Sequence, residues 1–427
     1  RAGADTALAR IARAVEDAQG SKAAIARLAD RVSAVFVPIV LTIATLTFVG
    51  WLATGHTATQ SLATMIAVLV IACPCALGLA TPAAVAVGTA RGAELGLLFR
   101  GGDALERAAS IDVVCLDKTG TLTTGHPRLV STLDDDVLRL AASAEQHSEH
   151  PIARAIVDAA KTKGLALARA ENVTVEAGGG LTSVVEGRAI KIGSRAFVAS
   201  DLARGTSGGS AIATSAGSAI ATSGVAAIAT GDATSFIVID GDVRGAIEIA
   251  DLPRDDAATT IAALRGLGVE PVMITGDKRE AADRVAAEVG ITRVHAEIKP
   301  TGKAALVEAE KARGKRVAMV GDGINDAPAL AAADLGIALA TGTDIAAAAA
   351  DVTLLRGGIG ALPTALTLAR ATMRTIRRNL AAAFVYNAIC IPIAAAGLLS
   401  PVLASAAMSL SSVSVLASSL RLRRFRA

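Results

Sequence analysis

Four stretches without a charged side chain limit what this chain can fold into. The first runs from about Val32 to Leu52, the second runs from Ser61 to Gly88, and no residue between Leu380 and Leu420 is charged. The last stretch is too long for one helix across a bilayer, but Gly397 and Ser400-Pro401 divide it into two. Each piece then approaches the ~20 residues that cross a hydrocarbon core. We therefore predict four membrane-spanning helices rather than helices buried in a soluble core.

The positions of the basic residues predict an orientation. Arginines flank the ends next to both termini and next to the middle of the chain, whereas the linkers 54–60 and 397–401 contain no Lys or Arg. Because basic residues accumulate on the cytoplasmic side of membranes, both termini and the middle segment are predicted to be cytoplasmic. A net charge of +3 over 427 residues does not indicate nucleic-acid binding. The four cysteines do not suggest a secreted disulfide framework.

The middle segment, about 91–373, has the pattern of an α/β domain. Three apolar runs end in polar motifs: Ile111 to Asp117, Val272 to Thr275, and Val317 to Asp322. Helical patterns intervene between these runs, at about 255–267, 279–289 and 301–311. Parallel strands joined by crossover helices place their carboxyl ends along one edge of a sheet. The three motifs are therefore predicted to meet in one crevice.

The first of these runs ends in Cys115-Leu116-Asp117-Lys118-Thr119-Gly120-Thr121. A carboxylate at the end of a buried strand can attack the γ-phosphorus of a nucleotide and hold the phosphoryl group as an acyl phosphate. Lys118 and the Thr119 hydroxyl would then lie beside the transferred group. For an isolated Asp-Lys pair, a solvated residue at a strand end would be the simpler interpretation.

The motifs together resemble those of a known family. Asp-Lys-Thr-Gly-Thr at 117–121 is similar to the phosphorylation signature of P-type ATPases. Thr275-Gly276-Asp277 and Gly-Asp-Gly-Ile-Asn-Asp-Ala-Pro at 321–328 resemble that family's other two site motifs, in the same order. The resemblance implies a multi-domain membrane protein. It would combine an α-helical transmembrane part with an α/β haloacid-dehalogenase-like (Rossmann-like) phosphorylation domain, into which an α+β nucleotide-binding domain is inserted.

The resemblance also assigns roles at the crevice. Asp322 and Asp326, four residues apart in a glycine-rich turn, can share a face on which carboxylate oxygens hold one Mg²⁺. By resemblance, Asp117, the Thr119 carbonyl and Asn325 complete this site. The groups expected to hold phosphoryl oxygens and nucleotide, or to neutralise the transferred charge, are Thr275, Gly276, Asp277 and Lys303. Taken alone, Lys303 has the pattern of a solvated helix lysine.

A segment of about 124–235 separates the first two runs and is large enough for a domain. Glu145, Ser148-Glu149-His150-Pro151 and Gly178-Gly179-Gly180 resemble the ATP-binding domain of the heavy-metal class. His150 could stack on an adenine, and Gly178 and Gly180 would let the backbone approach the nucleotide. Two positions depart from the pattern: Ser183 stands where a third glycine is expected, and Ser194 where an asparagine is usual. A low-complexity repeat at 209–231 is interpreted as poorly packed.

Cys73-Pro74-Cys75 lies within the second uncharged stretch. Proline removes a backbone donor and unwinds a helix locally, and soft thiolates favour ions such as Cu(I) or Zn(II). Tyr386-Asn387 and Met408-x-x-Ser411-Ser412, in the last two spans, resemble motifs of the Cu(I)-exporting subgroup. Zinc or cadmium pumps would be expected to offer an intramembrane carboxylate, and these stretches contain none. The predicted metal ligands are Cys73, Cys75, Tyr386, Asn387, Met408 and Ser411.

The resemblance orders the chain into successive regions. An amphipathic lead-in at 1–31 is followed by two membrane helices at 32–90, the phosphorylation domain at 91–123 and 236–373, the nucleotide domain at 124–235, and two membrane helices with a basic tail at 374–427. The family's actuator domain carries a Thr-Gly-Glu loop, and this sequence contains none. We therefore expect the carboxyl-terminal part of a pump, phosphorylated by ATP but slow to release the phosphate.

The implied function is ATP-driven, Mg²⁺-dependent Cu(I) transport in a multi-pass protein of a bacterial plasma membrane. A copper donor and a partner that supplies the actuator domain are expected, and no nucleic acid. Two alternatives stay open: a non-catalytic copper-binding membrane protein, and a zinc or cadmium pump. A soluble phosphatase of the same fold is disfavoured, because Thr119 stands where such hydrolases generally carry a second aspartate.

Overall fold

The computed structural model describes residues 24–426 apart from 74, 149, 177, 200, 202–234, 323 and 341–349. Most of the predicted lead-in and the repeat at 209–231 lie outside the described residues. The chain forms two compact units. One comprises the residues up to Leu122 and from Pro253 onward, and the other comprises Thr123–Leu252.

The strands are numbered in chain order: β1 Leu97–Phe99, β2 Val113–Asp117, β3 Arg128–Leu129, β4 Ala170–Glu176, β5 Gly180–Val185, β6 Arg188–Gly193, β7 Ser235–Ile239, β8 Asp242–Ile247, β9 Ile249–Ala250, β10 Glu270–Ile274, β11 Arg293–His295, β12 Val317–Gly321, β13 Leu335–Leu339 and β14 Val352–Leu354. The α-helices are α1 Ala24–Ala53, α2 Ala58–Ile71, α3 Cys75–Glu94, α4 Gly102–Ala108, α5 Asp135–Glu145, α6 Pro151–Thr162, α7 Ala257–Gly266, α8 Arg279–Val289, α9 Pro300–Ala312, α10 Ala327–Ala332, α11 Leu362–Ala395 and α12 Pro401–Leu420.

A seven-stranded sheet organises the soluble part of the first unit, in the order β1-β14-β13-β12-β2-β10-β11. Its strands are parallel except for β1, which pairs antiparallel with β14. Alternate residues of β2 pack into two apolar clusters on opposite faces, Val114 and Leu116 in one and Val113 and Cys115 in the other. Burial on both faces explains why the strands read as continuous apolar runs. The predicted α/β fold is confirmed.

The second unit contains an antiparallel sheet in the order β4-β5-β6-β7-β8, against which α5 and α6 pack. We predicted that this domain would end at residue 235. The unit instead continues to Leu252, because β7 and β8 complete the sheet by pairing with β6 and with each other. The short pair β3 and β9 joins the two ends of the unit. Pairing partners more than 100 residues apart leave no local signal for such a boundary.

Among the described residues, three helical segments are long and apolar enough to cross a membrane: Ala34–Ala53, Gly358–Ala395 and Pro401–Arg424. The predicted second span, 61–88, is divided into α2 and α3, with the shorter α2 ending at Ile71 and α3 beginning at Cys75. The cause is Pro74, which cannot donate the backbone hydrogen bond that a continuous helix needs. The predicted break between the last two spans is confirmed, since α11 ends at Ala395 and α12 begins at Pro401.

Close packing of α3 against α11 generates a test of these helices. A Cβ atom at Gly88 would lie 2.6 Å from Oγ1 and 2.9 Å from Cγ2 of Thr372, whose side chain is fully buried. We expect Gly88→Ala to destabilise the protein by about 1–3 kcal/mol through overpacking. Adding Thr372→Ala should restore most of the loss. Thermal unfolding in detergent measures both.

The matched control is Gly78→Ala in the same helix, where a Cβ atom would meet nothing within 4 Å. This variant should unfold at or above the wild-type temperature, because alanine favours a helix over glycine. Equal destabilisation by Gly78→Ala and Gly88→Ala would contradict the described packing of α3 on α11.

Candidate active site

The first motif forms the end of β2 and the turn that follows it. Asp117 is the last residue of the strand and is 6% exposed, and the turn Lys118–Leu122 winds back over it. Gly120 has φ of +74°, and a Cβ atom there would collide with the carboxylate of Asp322. A glycine is therefore required twice, for the left-handed backbone and for the close approach of a second carboxylate.

Three carboxylates and one lysine meet at this edge. Oxygen atoms of Asp117, Asp322 and Asp326 all lie within 4.8 Å of one another. The Nζ atom of Lys303, which α9 contributes, is 2.6 Å from Oδ1 of Asp117 and 2.7 Å from Oδ1 of Asp326. Lys303 is 6% exposed, so the solvated-helix interpretation of this lysine is wrong. The three predicted motifs thus converge with Lys303, as the parallel topology requires.

The electrostatics of this cluster favour a bound cation. Burial, followed by the charge of Asp326, raises the pKa of Asp117 to about 7 despite the opposing effect of Lys303. Burial and Asp326 also raise the pKa of Asp322. For Lys303, burial alone would lower the pKa, but the two carboxylates outweigh it and the net shift is upward. Three carboxylates and one ammonium leave a formal charge of −2, which one divalent cation would neutralise.

The second motif is tied to the first by an ion pair. Lys118, which is buried, pairs with the partly exposed Asp277. Thr275 is 2% exposed, and its hydroxyl accepts a hydrogen bond from the Asp277 N–H at 3.2 Å. Gly276 is exposed and has no left-handed φ. Thr275 and Asp277 are therefore held close to Asp117 at the end of β10.

The third motif places its two aspartates differently. Asp326 is 2% exposed and Asp322 is half-buried. A Cβ atom at Gly321 would lie 2.5 Å from Oδ2 of Asp326, so glycine makes room for that carboxylate. Asn325, like Thr119 of the first motif, is exposed. Their predicted roles stay predictions, because neither side chain belongs to the buried cluster.

Two groups at this site were missed by the sequence analysis. Arg254 donates from Nε to the carbonyl of Thr121 at 3.1 Å and from Nη2 to the carbonyl of Gly120 at 2.9 Å. Its positive charge also opposes the raised pKa of Asp322. The hydroxyl of Thr121 is fully buried and has no hydrogen-bond partner among the described residues. The only sequence signal for Arg254 is its position directly after the inserted unit, which becomes visible once the end of that unit is known.

In the second unit, the predicted nucleotide residues have distinct local roles. Glu145 is 7% exposed at the end of α5; burial raises its pKa, and a hydrogen bond with Ser148 opposes that shift. His150 is exposed and caps α6, with Nδ1 accepting from the Ile152 N–H at 3.2 Å. Gly178 has φ of +75° and open space around it.

Gly180 serves packing within the sheet of the second unit. A Cβ atom there would collide with the Ile192 carbonyl and lie 2.6 Å from Phe197 Cδ1. Of the two unusual positions, Ser183 is 4% exposed and its hydroxyl has no hydrogen-bond partner in the described part of the chain. The Ser194 hydroxyl accepts a hydrogen bond from the Phe197 N–H at 3.4 Å.

The predicted transport site lies among the membrane helices. Cys73 follows α2 and is disulfide-bonded in this structure, so a thiolate site there requires the reduced form. The side chain of Cys75 lies outside the described atoms. Tyr386 packs on the apolar cluster that contains Ile71 and Ala72, directly before Cys73. The other predicted ligands are partly buried: Asn387 on α11, and Met408 and Ser411 on α12.

Comparison with known proteins agrees with this geometry. The profile of the haloacid dehalogenase-like hydrolases matches residues 111–334. The structure also resembles a zinc-transporting PIB-type ATPase solved in an E2.Pi state, with a TM-score of 0.80 and 35% identity, covering 99% of this chain and 68% of that one. The chain belongs to the PIB-type, heavy-metal P-type ATPases. The resemblance drawn from the motifs is thereby confirmed.

Relatives named as copper-exporting P-type ATPases share more of their sequence with this chain. A "probable copper-exporting P-type ATPase V" of Mycobacterium tuberculosis is 48% identical over 429 residues, and a copper-exporting P-type ATPase of Bacillus subtilis is 44% identical over 433 residues. Both alignments cover 99% of this chain, but only 54% and 52% of the respective relatives. The chain thus spans about half the length of these ATPases.

The double requirement for glycine at position 120 can be separated experimentally. Gly120→Ala combines backbone strain at φ +74° with the collision against Asp322. Gly268→Ala, in the same unit, has φ of +73° but no atom within 4 Å of the added Cβ. We expect Gly268→Ala to cost about 1–2 kcal/mol from the left-handed backbone alone. Gly120→Ala should cost about 1–3 kcal/mol more. Equal unfolding temperatures of the two variants would refute the contact.

The buried hydroxyl of Ser183 predicts a stabilising substitution. Because the Ser183 hydroxyl has no hydrogen-bond partner among the residues that the structure describes, Ser183→Ala should stabilise the second unit by about 1–3 kcal/mol. Ser143→Ala is the matched control: that hydroxyl is also buried, but it donates to the Arg139 carbonyl at 2.7 Å and accepts from the Ala168 N–H at 3.0 Å. This control should be destabilised. Thermal unfolding shifts of the same sign in both variants would contradict the assignment.

Proposed function

We propose that this chain carries out ATP-driven Cu(I) transport across a membrane through a phosphorylated Asp117. The observation that carries the proposal is the buried cluster in which Lys303 contacts Asp117 and Asp326 at 2.6 and 2.7 Å. A carboxylate held at a strand end beside a lysine and two further carboxylates suits phosphoryl transfer, which depends on positioning and charge neutralisation. The family membership and the names of the copper-exporting relatives support this proposal.

The reaction at Asp117 is a single displacement. One carboxylate oxygen attacks the γ-phosphorus, the bond from that phosphorus to the bridging oxygen breaks, and ADP leaves with the electron pair. Lys303 orients the Asp117 carboxylate and offsets negative charge as the phosphoryl group arrives. Lys118, held by its ion pair with Asp277, adds a second cation beside the nucleophile. The acyl phosphate that forms is a covalent intermediate of the ordinary kind.

The residues fit a magnesium ion. Asp117, Asp322 and Asp326 offer hard oxygen ligands within 4.8 Å of one another, and burial together with the charge of Asp326 raises the pKa of Asp117. Mg²⁺ bound there would neutralise phosphate oxygens. We propose that the Thr119 carbonyl and Asn325 complete this site, and that Thr275 and Asp277 orient the phosphoryl oxygens from the neighbouring strand.

We assign nucleotide binding to the second unit. His150 and Gly178 are both accessible, so an adenine could stack on the imidazole while the backbone at 178 approaches the ribose or phosphates. Glu145 is buried and forms a hydrogen bond with Ser148, so it is suited to hold the segment between α5 and α6 in place. Gly180 supports the same strand by permitting its contact with Phe197.

Cu(I) is the transported ion that the membrane residues support best. Reduced Cys73 and Cys75 would supply soft thiolates next to the break between α2 and α3, with Tyr386, Asn387, Met408 and Ser411 on the facing helices. No acidic residue occurs within 32–88 or 380–420. The solved zinc-transporting relative keeps zinc as the second candidate. We place the protein in a bacterial plasma membrane, with cytoplasmic catalytic units and a separate copper donor.

The proposal is tested by acid-stable labelling of the purified chain with γ-labelled ATP and Mg²⁺. We expect label in the wild type and none in Asp117→Asn, which keeps the shape of the side chain but not its nucleophilic charge. Cu(I) under reducing conditions should change the label level more than Zn²⁺ does. A chase with unlabelled ATP then measures how fast the phosphoryl group is lost from Asp117.

Lys303 supplies the second arm of the test. Lys303→Met removes the ammonium that contacts two carboxylates and should lower the labelling rate at least about 100-fold, as loss of a group that stabilises the transition state does. Arg313→Met is the control: it also replaces a cation by methionine, but Arg313 directly follows α9 and its side chain is 64% exposed, so this variant should label normally. Label that persists in Asp117→Asn would exclude the proposed nucleophile. Equal responses to Zn²⁺ and Cu(I) would favour the zinc candidate.

A further inference from the structure

The last part of the chain is basic throughout. From Val352 to Ala427 the sequence contains nine arginines and neither a lysine nor an acidic residue. Arg356 lies before α11, and Arg370 lies in the first part of this helix. Arg370 donates a hydrogen bond to the Leu267 carbonyl at 2.7 Å. The other seven are exposed and are called the basic patch here: Arg374, Arg377, Arg378, Arg421, Arg423, Arg424 and Arg426.

The tail that carries four of these arginines is folded against the protein. Residues Arg421–Arg424 form a turn of 3₁₀-helix in which Leu422 is 6% exposed and joins the main apolar cluster. Phe425 packs on the same cluster, and its carbonyl accepts hydrogen bonds from Nε and Nη2 of Arg91 at 3.1 and 2.8 Å. The apolar side chains point inward and the arginines point outward, so the charges are held on a defined surface.

A hydrogen bond between α11 and α12 shows that the arginines of α11 and the arginines after α12 lie at the same end of the two helices. The Asn379 side chain on α11 donates to Oγ of Ser419 on α12 at 3.1 Å, and both residues are buried. The two helices run in opposite directions because only residues 396–400 join them. Arg377 and Arg378 therefore lie on the same side of this contact as Arg421 and the residues after it.

The basic patch has no counter-charge within the described part of the chain. None of its seven arginines forms an ion pair there, and the neighbouring Glu94 is already paired with Arg91 at 2.7 Å. In the last turns of α12, just before Arg421, the side chains of Leu416 and Leu420 are 50% and 45% exposed, which suits a surface that faces lipid tails. Arginine forks match phosphate oxygens in geometry and charge, and basic segments next to membrane helices attract anionic headgroups.

We propose that the basic patch is a binding site for the headgroups of anionic phospholipids in the adjoining leaflet. The site depends on the membrane embedding given under the proposed function, but not on phosphorylation or on the transported ion. Bound phosphates would compensate the repulsion among the arginines and hold the end of α12 against α3 through the folded tail.

The test uses the full chain in phosphatidylcholine nanodiscs that contain a small fraction of spin-labelled phosphatidylglycerol or spin-labelled phosphatidylcholine. The immobilised fraction of each label gives the preference for the anionic lipid. We expect the wild type to prefer phosphatidylglycerol, and R421Q/R423Q/R424Q/R426Q to lose most of that preference. Each arginine that engages a headgroup contributes up to about fivefold. The preference should fall as salt is raised.

Two variants keep this result interpretable. R421K/R423K/R424K/R426K retains the charge and should retain most of the preference, which separates charge from the folding of the tail. R128Q/R154Q/R169Q/R244Q removes the same charge from exposed positions of the second unit and should behave as wild type. Equal preference for both lipids in the wild type overturns the proposal. So does an equal loss in the tail variant and the second-unit control.

A competition arm identifies the source of the phosphate. Inorganic phosphate at the ionic strength of a chloride control should not displace the labelled lipid beyond the effect of salt. Specific displacement by inorganic phosphate would overturn the assignment to lipid. Phosphorylation of Asp117 is measured on the same nanodiscs. A preparation that fails to label but still prefers phosphatidylglycerol would count against the proposed function and not against the lipid site.

Discussion

The contact of one lysine with two buried aspartates is the interaction on which the rest of the site depends. Asp117 and Asp326 are 6% and 2% exposed, and without Lys303 their charges would lie close together in a medium that solvates them poorly. The lysine reaches both only because β2 and β12 pair in parallel register and α9 packs beside them. Even so, the pKa of Asp117 stays near 7, so the cluster remains short of positive charge.

This shortage links structure to chemistry. A site with excess negative charge can bind a divalent cation, and a cation bound there would then offset the charge of a transferred phosphoryl group. Glycine supports the arrangement at two points, since side chains at 120 and 321 would displace the carboxylates of Asp322 and Asp326. Arg254 holds the turn over the site through two backbone carbonyls. Positioning thus comes from backbone contacts, and charge comes from a few side chains.

Much of the fold could be predicted because its elements are locally defined. The helix predicted at 279–289 has those bounds, and the predicted strand at 317–322 differs by one residue. Parallel strands buried on both faces leave continuous apolar runs, and these runs end where the site begins. The end of the second unit was misplaced because β7 and β8 belong to it through pairing, which sequence spacing does not reveal. Sequence spacing also did not reveal that a side chain at Gly180 would collide with Ile192 and Phe197, while its predicted contact with a nucleotide stays a prediction.

The sequence by itself determined which groups exist and where local structure places them: a carboxylate after a buried strand, soft side chains in uncharged helices, and arginines without acidic neighbours. Tertiary structure alone decided that Lys303 is buried between two aspartates, that Lys118 pairs with Asp277, and that Arg91 holds the arginine tail in place. The physical reason is that desolvation and Coulomb energies depend on distances between residues far apart in the chain. Those distances are set by strand register and helix packing rather than by any short motif.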